Sequence, residues 1–227
     1  MKDSLGNRMK NNYEDRAKIY LYRRMPVIIR LDGKAFHTLT CRCEEPFDKN
    51  FADCMDNTMI EVMKEAMGAK VGYVQSDEIS ILLTDYITHE TQAWFDNQIQ
   101  KICSVSASIA SVAFTQAFGR KAYFDCRVFN IPCAEVCNYF IWRQQDWMRN
   151  SIQMLARAHF SQKQLHLKTI PLMYEMLHEK GVNWTVDVED RFKNGGVYVD
   201  GTLKNNIIFK EQRNIIDDIV HSGGEER

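Results

Sequence analysis

The chain has 227 residues, of which 45% are hydrophobic and 26% are charged, and its net charge is −1. This length fits one domain of ordinary size, or one domain with a helical extension. The near-neutral charge excludes a general attraction to nucleic acid, so RNA would have to bind at local basic patches. No apolar run is long enough to span a membrane, and residues 1–8 are too polar for a signal peptide. We therefore expect a soluble, cytoplasmic protein.

The seven cysteines form no clear disulfide or metal-binding pattern. Their number is odd, and no two of them have the Cys-x-x-Cys spacing. Cys41 with Cys43, and Cys133 with Cys137, could contribute ligands to a zinc ion, but no matching Cys/His pair accompanies them. The pattern favours reduced thiols in an intracellular protein.

The first apolar run, residues 27–31, predicts a buried strand that ends in Asp32 and Gly33. An acid at a rigid strand end can hold a metal ion, and glycine lets backbone amides approach a phosphate closely. Taken alone, an Asp-Gly pair after a strand is more often a simple turn. The metal hypothesis gains weight from a second acid, Asp77, which follows another apolar run at residues 71–74.

The apolar pattern predicts strands and helices in the order β-α-β-β-α-β. Residues 1–24 form a helical lead-in. Helical spacing from Asp48, a candidate N-cap, to Gly68, a candidate stop, predicts a helix with one buried face. The remaining predicted elements are strands at 71–74 and 79–83, a helix from about 91 to 118 and a strand at 124–131.

This element order is that of the ferredoxin-like, split-βαβ arrangement. In that arrangement the first two strands run parallel, with the third strand between them. The end of the first strand and the turn between the second and third then lie at one edge of the sheet. Asp32 and Asp77 would converge there, and two carboxylates suit a pair of Mg²⁺ ions roughly 3.5–4 Å apart. The sequence therefore predicts an α+β fold with a polymerase-type palm.

The palm and its lead-in are predicted to occupy residues 1–134. A helical region with a short strand, residues 135–227, is predicted to pack on the palm as part of one structural unit. Helical spacing places its helices at 135–160, 171–180 and 211–220. Residues 191–196 are interpreted as a basic, glycine-rich loop before a strand at 197–199, which ends in a turn at 200–201.

Four segments together carry a family resemblance: residues 30–37 (RLDGKAFH), 75–78 (QSDE), 124–127 (FDCR) and 142–146 (WRQQD). In this order they resemble the tRNA-histidine guanylyltransferase superfamily, the 3′–5′ nucleotide-adding polymerases. Any one of these motifs alone would be a weak signal. The resemblance implies a Mg²⁺-dependent nucleotidyltransferase that acts on tRNA.

Two segments depart from the enzymes that guanylylate histidine tRNA. Those enzymes carry His-Ile-Asn-Asn where residues 148–151 are Met-Arg-Asn-Ser, and they usually have a lysine where Glu45 precedes Pro46. In these features the chain is similar to the guanylyltransferase-like branch, which repairs 5′-truncated tRNA by template-dependent addition. The alternative function is addition of G at position −1 of histidine tRNA.

The resemblance also implies roles for individual residues. Asp32, Asp77 and the Gly33 carbonyl would bind two Mg²⁺ ions. Glu78, the third predicted catalytic residue, could pair with Arg30 and orient the site. ATP, GTP or another nucleoside triphosphate would bind to Asp32, Gly33, Lys34, Ala35, Phe36, His37, Ser76, Asp77 and Lys101. Without the resemblance, the two acids could equally cap turns and Lys101 would be a solvated helix residue.

Five arginines could form a surface for tRNA through phosphate contacts, which position an RNA without reading its sequence. They are Arg127, Arg143, Arg149, Arg157 and Arg191. Any one of them alone is better explained as a solvated side chain. The resemblance further implies a homo-oligomer, specifically a tetramer. The serine- and alanine-rich helix around residues 104–111 could pack against a partner or against its own sheet.

Two other functions compete with this one. A nucleotide cyclase on the same palm would use the same two acids without an RNA surface, and the arginine-bearing C-terminal half disfavours it. An RNA-recognition module shares the β-α-β-β-α-β order but displays aromatic residues on its first and third strands. The strands at 27–31 and 79–83 contain no aromatic residue. The sequence therefore favours the polymerase.

Overall fold

Six strands form one antiparallel sheet in the structure, a computed structural model that describes residues 4–222. The strands are β1 (Val27–Gly33), β2 (Ala69–Gln75), β3 (Glu78–Leu83), β4 (Phe124–Asn130), β5 (Gly196–Val199) and β6 (Thr202–Lys204). Their order across the sheet is β4-β1-β3-β2-β5-β6, and neighbouring strands are antiparallel. β1 and β2 therefore run parallel with β3 between them, which is the arrangement that the sequence predicts.

Three long helices and several short ones surround the sheet. In chain order they are α1 (Ser4–Met9), α2 (Phe36–Leu39), α3 (Lys49–Glu65), α4 (Ile99–Phe118), α5 (Cys133–His159), α6 (Gln162–Leu165), α7 (Ile170–Glu179), α8 (Trp184–Asp187), α9 (Asp190–Asn194) and α10 (Asn214–His221). A π-helical turn (Lys10–Glu14) and a 3₁₀ turn (Asp15–Ala17) follow α1. Among residues 4–222, no helix has the length and apolarity that crossing a membrane requires.

Helices α3 and α4 cover one face of the sheet. The predicted N-cap is present, because the Asp48 side chain accepts a hydrogen bond from the Phe51 amide at 2.7 Å. The alternate strand residues that face these helices are apolar. The fully buried side chains of this core include Ile29, Leu31, Met55, Met59, Ile81 and Phe114. This face therefore supplies hydrophobic stabilisation and holds β1 and β3 in register.

Helices α5 and α10 cover the opposite face, where the packing changes character along β1. Ile28 lies in an apolar cluster with Tyr73, Leu82, Phe140, Phe209 and Ile216. Because side chains alternate along a strand, Arg30 and Asp32 point to the same face as Ile28. The core under α5 is thus apolar at the start of β1 and polar toward its end.

Helix α4 begins at Ile99 and not near residue 91, as the helical pattern predicts. Phe95, Asp96 and Asn97 have φ angles of 50°, 52° and 60°, which a right-handed helix excludes. The cause is tertiary, because the lead-in crosses the chain here. The Leu21 amide donates to the Asn97 carbonyl oxygen at 3.0 Å, and the Ile99 amide donates to the lead-in in turn.

The predicted glycine-rich loop at 191–196 is also different, because residues up to Asn194 belong to α9 and Gly196 already begins β5. Gly195 separates them with a φ of 81°, and a Cβ there would lie 2.7 Å from the Val74 carbonyl oxygen. β5 pairs with β2, so the C-terminal region extends the sheet as well as covering it. The division of the chain at residue 134 stays a prediction.

Candidate active site

The site lies where β1 ends beside the turn between β2 and β3. In the β1–β3 ladder Asp32 is opposite Glu78, the residue that follows Asp77. The Gly33 amide donates a hydrogen bond to the Asp77 carbonyl oxygen at 3.0 Å. The structure therefore brings together Asp32 and Asp77, 45 positions apart in the sequence, at one edge of the sheet.

A cleft of about 380 Å³ opens at this edge, between the sheet and α5, and we call it the edge cleft. Arg30, Asp32 and the residues of the β2–β3 turn line one wall. The opposite wall consists of α5 residues from Arg143 to Arg157. Since both acids face an open cleft that also contains arginines, the cleft can admit a ligand that carries phosphates.

Burial, with smaller contributions from the negative charges of Asp32 and Glu78, raises the pKa of the Asp77 carboxyl from 3.8 to about 6, against the hydrogen bonds that lower it. Asp32 is more accessible, with about a third of its side chain exposed. Two carboxylates in this arrangement repel each other, and a cation between them would relieve that repulsion.

Replacement of Asp77 by Asn is expected to stabilise the metal-free protein at neutral pH. The folded protein holds the Asp77 proton up to about pH 6, whereas the unfolded chain releases it near 3.8. Stability therefore falls as the pH rises from about 4 to about 6, and the full difference corresponds to about 3 kcal/mol.

The measurement is urea unfolding of Asp77→Asn and wild type in EDTA at pH 4 and pH 7.5. The gain in unfolding free energy is expected to be larger at pH 7.5. Asp218→Asn, which changes an exposed acid of α10, is the matched control and should change little at either pH. An equal or smaller gain at pH 7.5 would contradict the assignment of Asp77 as an unfavourably buried acid.

Both carboxylate oxygens of the buried Glu78 are held by arginines. Arg143 donates from Nε to Oε1 at 2.7 Å and from Nη2 to Oε2 at 2.9 Å, and Arg30 also donates to Oε2. The predicted pairing of Arg30 with Glu78 is confirmed. Arg143 donates in addition to Asp146 at 3.0 Å. Glu78 thus anchors the β2–β3 turn, which carries Asp77, to α5.

The loop after Asp32 is shaped by Phe36, which is buried in an aromatic cluster. A Cβ on Gly33 would lie 2.3 Å from the Phe36 ring, so only glycine fits there. The Lys34 amide donates to the Tyr123 carbonyl oxygen at 2.8 Å, so this amide is not free to bind a phosphate. Ala35 and His37 are exposed beside the site, as is the Lys34 side chain.

Ser76 has a left-handed backbone with a φ of 46°, in the two-residue turn between β2 and β3. Its side chain lines the edge cleft beside Asp77 and lowers the pKa of the Asp77 carboxyl. A non-glycine residue in this region is unusual and is commonly retained at functional sites. The turn therefore presents a hydroxyl and a carboxylate together to the cleft.

Lys101 does not lie with the other predicted nucleotide ligands. It is an exposed residue in the first turn of α4, with its ammonium 5.8 Å from the centre of the Phe95 ring. The level of the site along α4 is marked by Ser111, ten residues after Lys101. The Ser111 hydroxyl accepts a hydrogen bond from the Phe124 amide, and Phe124 is opposite Gly33 in the β1–β4 ladder. Lys101 is therefore about 15 Å along the helix from the level of the site.

The five arginines predicted for RNA divide into three groups. Arg127 is exposed and lies 3.9 Å from Asp32. Arg149 and Arg157 are exposed on α5, although Arg149 pairs with Asp146. Arg143 and Arg191 are buried, the first against Glu78 and the second against Asp56. We therefore withdraw these last two as RNA contacts, because their guanidinium groups already have carboxylate partners.

Comparison with known proteins places this chain in a family. A family model described as Thg1, tRNAHis guanylyltransferase, matches residues 6–132, which is more than half of the chain. The chain belongs to the Thg1 family. As a member, it is a nucleotidyltransferase of the tRNA guanylyltransferase type.

Two solved structures of this family align with 96% of this chain, and the alignment covers 100% of the chain in each of those structures. Both are described as a bacterial tRNA(HIS) guanylyltransferase (Thg1)-like protein. The complex with ATP is 41% identical with a TM-score of 0.92, and the complex with GTP is 39% identical with a TM-score of 0.85. The tRNA(His) guanylyltransferase of Schizosaccharomyces pombe is 24% identical over 197 residues, 76% of this chain and 72% of that protein.

Sequence analysis missed part of the cleft wall in this Thg1 family member. A polar stripe runs along α5 with alternating spacings of three and four residues, which is the spacing of one helix face. Its members are Arg143, Asp146, Asn150, Gln153 and Arg157. The spacing itself was the available signal, and we had interpreted only its arginines.

The donor atoms of the site fit a hard cation in this Thg1 family chain. Among residues 4–222, no three His, Cys, Asp or Glu side chains are grouped to hold a metal ion. The side chains that could donate to such a cation are therefore the two carboxylates of Asp32 and Asp77, whose mutual repulsion a cation would relieve. Mg²⁺ accepts so few protein oxygens because phosphate and water complete its coordination. Zinc does not fit, since the seven cysteines are free thiols outside any such group.

Proposed function

We propose that this protein repairs the 5′ end of truncated tRNA by template-dependent 3′–5′ addition of nucleotides, after ATP or GTP has activated the 5′ phosphate. The observation that carries the proposal is the convergence of Asp32 and Asp77 in a cleft walled by α5. The sheet order β4-β1-β3-β2 with α3 and α4 on one face is consistent with a ferredoxin-like polymerase palm. The ATP and GTP complexes of the similar bacterial proteins support the choice of nucleotides.

Asp32, Asp77 and the Gly33 carbonyl oxygen would hold two Mg²⁺ ions in this reaction. When bound, such ions lower the pKa of an attacking hydroxyl and neutralise charge on the transferred phosphoryl group. Glu78 and its arginines keep the turn that carries Asp77 in place. Arg127, beside Asp32, is available to a phosphate of the RNA or the nucleotide.

The proposed chemistry has two displacement steps at phosphorus. In the first, an oxygen of the RNA 5′ monophosphate attacks the α-phosphorus of ATP, so a phosphoanhydride forms and pyrophosphate leaves. In the second, the 3′ hydroxyl of an incoming nucleoside triphosphate attacks the activated 5′ phosphorus. A phosphodiester bond forms, AMP leaves and the hydroxyl proton passes to solvent. A 5′ triphosphate would need only the second step, with pyrophosphate as leaving group.

The choice of repair over guanylylation rests on residues 148–151. Of the four residues of this segment of α5, Asn150 lines the edge cleft. The next residue, Ser151, is buried and accepts a hydrogen bond from the Trp184 indole at 3.0 Å. The side chains that mark histidine-tRNA enzymes are therefore replaced at a position in the wall of the proposed substrate cleft. Base pairing with the opposite strand can supply the lost discrimination.

Several different tRNAs that lack their first 5′ nucleotide are expected to be repaired, each with the nucleotide complementary to the opposing base. The measurement is kcat/KM for such tRNAs and for addition of an unpaired G to histidine tRNA, under one salt condition because phosphate contacts make affinity salt-dependent. Repair is expected to be at least about tenfold more efficient, the effect of about 1.4 kcal/mol of pairing energy.

The control in this experiment is the template base. Changing that base should change the nucleotide that is added, without a change in the enzyme. A preference for unpaired G would show that the chain is a histidine-tRNA guanylyltransferase in function. Assembly as a tetramer stays a prediction that we carry forward with this proposal.

A further inference from the structure

A second cleft continues from the edge cleft, at the C-terminal end of α5. It has a volume of about 680 Å³ and is bounded by the last turns of α5, by α6 and by α7, and we call it the α6 cleft. Gln153 and Arg157 line both clefts. From Arg143 to Arg157 the wall runs along about 21 Å of helix. A ligand at Asp32 and Asp77 could therefore extend into the α6 cleft without leaving the surface.

The charge around the α6 cleft is strongly one-sided. Between Asp146 and Glu175 the chain contains no acidic residue, but four lysines or arginines and two histidines. The whole chain has 30 acids in 227 residues and a net charge of −1, so this segment departs clearly from the average. Arg157 is exposed, and among residues 4–222 no carboxylate holds it in the way that Asp146 holds Arg149. The surface therefore complements a polyanion.

The wall of the α6 cleft is apolar as well as basic. Leu167 is 88% exposed and has a φ of 58°, a conformation that leucine seldom adopts. Phe160 lies beside it with one ring face covered by the Lys180 ammonium at 4.5 Å. A large apolar side chain presented to solvent by a strained backbone is a feature of ligand-binding loops.

We propose that the α6 cleft binds the unpaired 3′ strand of the RNA whose 5′ end is extended at Asp32 and Asp77, an inference that rests on the proposed function. Bases in a duplex are stacked on one another and cannot lie on Leu167 or Phe160, whereas unpaired bases can. The strand that pairs with the growing 5′ end continues beyond it as the 3′ overhang. Arg157 would contact a phosphate at the junction between the two clefts.

The test uses three hairpin RNAs with the same 5′-truncated stem. In each RNA the base opposite the missing 5′ nucleotide is present as the template. Beyond that base, one RNA has a 3′ overhang of four nucleotides, one ends at the template base, and one has an overhang of four abasic nucleotides. For the wild type, kcat/KM is expected to be about tenfold lower on the RNA that ends at the template base and on the abasic RNA, the effect typical of one base stacked on a protein side chain. In Leu167→Ala the ratio between the RNAs should approach one.

The matched control is Val186→Ala, which shortens another exposed apolar residue, 76% exposed, on α8. It should keep the tenfold ratio. An equal rate on all three RNAs, or a ratio that Leu167→Ala leaves unchanged, would overturn the inference while the repair activity stands. An abasic overhang as effective as the natural one would also overturn it, because phosphate contacts alone would then explain the binding.

The binding of single-stranded RNA in the α6 cleft can be tested even if the proposed activity is wrong. If the wild type adds nucleotides to none of the RNAs, the proposed function fails and the same RNAs are compared by fluorescence anisotropy. A tenfold tighter binding of the overhang RNA, lost in Leu167→Ala and kept in Val186→Ala, supports the α6 cleft as a single-strand site. Equal affinities for the three RNAs overturn it.

Discussion

Asp32→Asn and Asp77→Asn are each expected to lower the rate of nucleotide addition at least about a thousandfold, which corresponds to about 4 kcal/mol of transition-state stabilisation. Each change removes a charged oxygen ligand and leaves the volume of the side chain almost unchanged. The fold should persist, because both acids lie at the rim of the sheet and the cores under α3 and α5 do not include them.

The measurement is single-turnover nucleotide addition at saturating Mg²⁺, with circular dichroism as the check on folding. Asp125→Asn is the matched control, because Asp125 is opposite Asp32 in the β1–β4 ladder and is exposed. It should stay within a few-fold of the wild type. A near wild-type rate in either site variant would refute the assignment of that acid as a metal ligand.

Asp56→Ala is expected to destabilise the protein by about 3–5 kcal/mol, the effect of leaving one partner of a buried ion pair alone. Asp56 lies on α3, and its carboxylate accepts three hydrogen bonds from Arg191 of α9, the shortest of 2.7 Å. Both residues are buried. A Cβ on Gly196 would lie 2.9 Å from Asp56 Oδ1, so the pair also lies directly under the start of β5.

Urea unfolding of Asp56→Ala, Arg191→Ala and the double variant measures this contribution. The double variant should lose less than the sum of the single variants, since it leaves no unpaired charge. Lys64→Ala is the control, because Lys64 pairs with Glu61 on the exposed side of α3 and such pairs contribute about 0–1 kcal/mol. Additive losses in the cycle would show that the two buried residues act independently.

The sheet and the two acids could be predicted because their causes are local. Short apolar runs around Asp32 and Asp77 define strands, and the number and order of elements then leave few ways to arrange them. In this chain β3 does lie between β1 and β2, and the edge that carries both acids follows from that order alone.

The ion pairs could not be predicted, because their partners are distant in sequence. Arg143 and Glu78 are 65 residues apart, and Arg191 and Asp56 are 135 residues apart. Each arginine alone resembles a solvated side chain. One signal was present, since Asp56 interrupts the buried face of α3 between Ala52 and Met59. An acid at a core position requires a partner, although the sequence does not say which one.

The predicted start of α4 and the predicted loop at residues 191–196 were wrong for a related reason. The start of α4 depends on hydrogen bonds from the lead-in to Asn97, and the position of α9 depends on a salt bridge to α3. Helical periodicity depends only on the residues of one segment. It therefore cannot predict where a second segment crosses that segment and ends its helix. Lys101 illustrates the consequence, because moving the start of α4 to Ile99 places this lysine in its first turn.

The pairing of β5 with β2 has a consequence for the order in which the protein is made. A nascent chain that has emerged only as far as residue 134 contains both acids, but Glu78 then has no Arg143 and β2 has an open edge. The Arg143 guanidinium becomes available once α5 has emerged. The open edge of β2 is paired only after residues 196–199, which form β5, have emerged. Translation therefore produces the acids first and their scaffold later, so the Asp77 turn is fixed in its working position only after residues 196–199 have emerged from the ribosome.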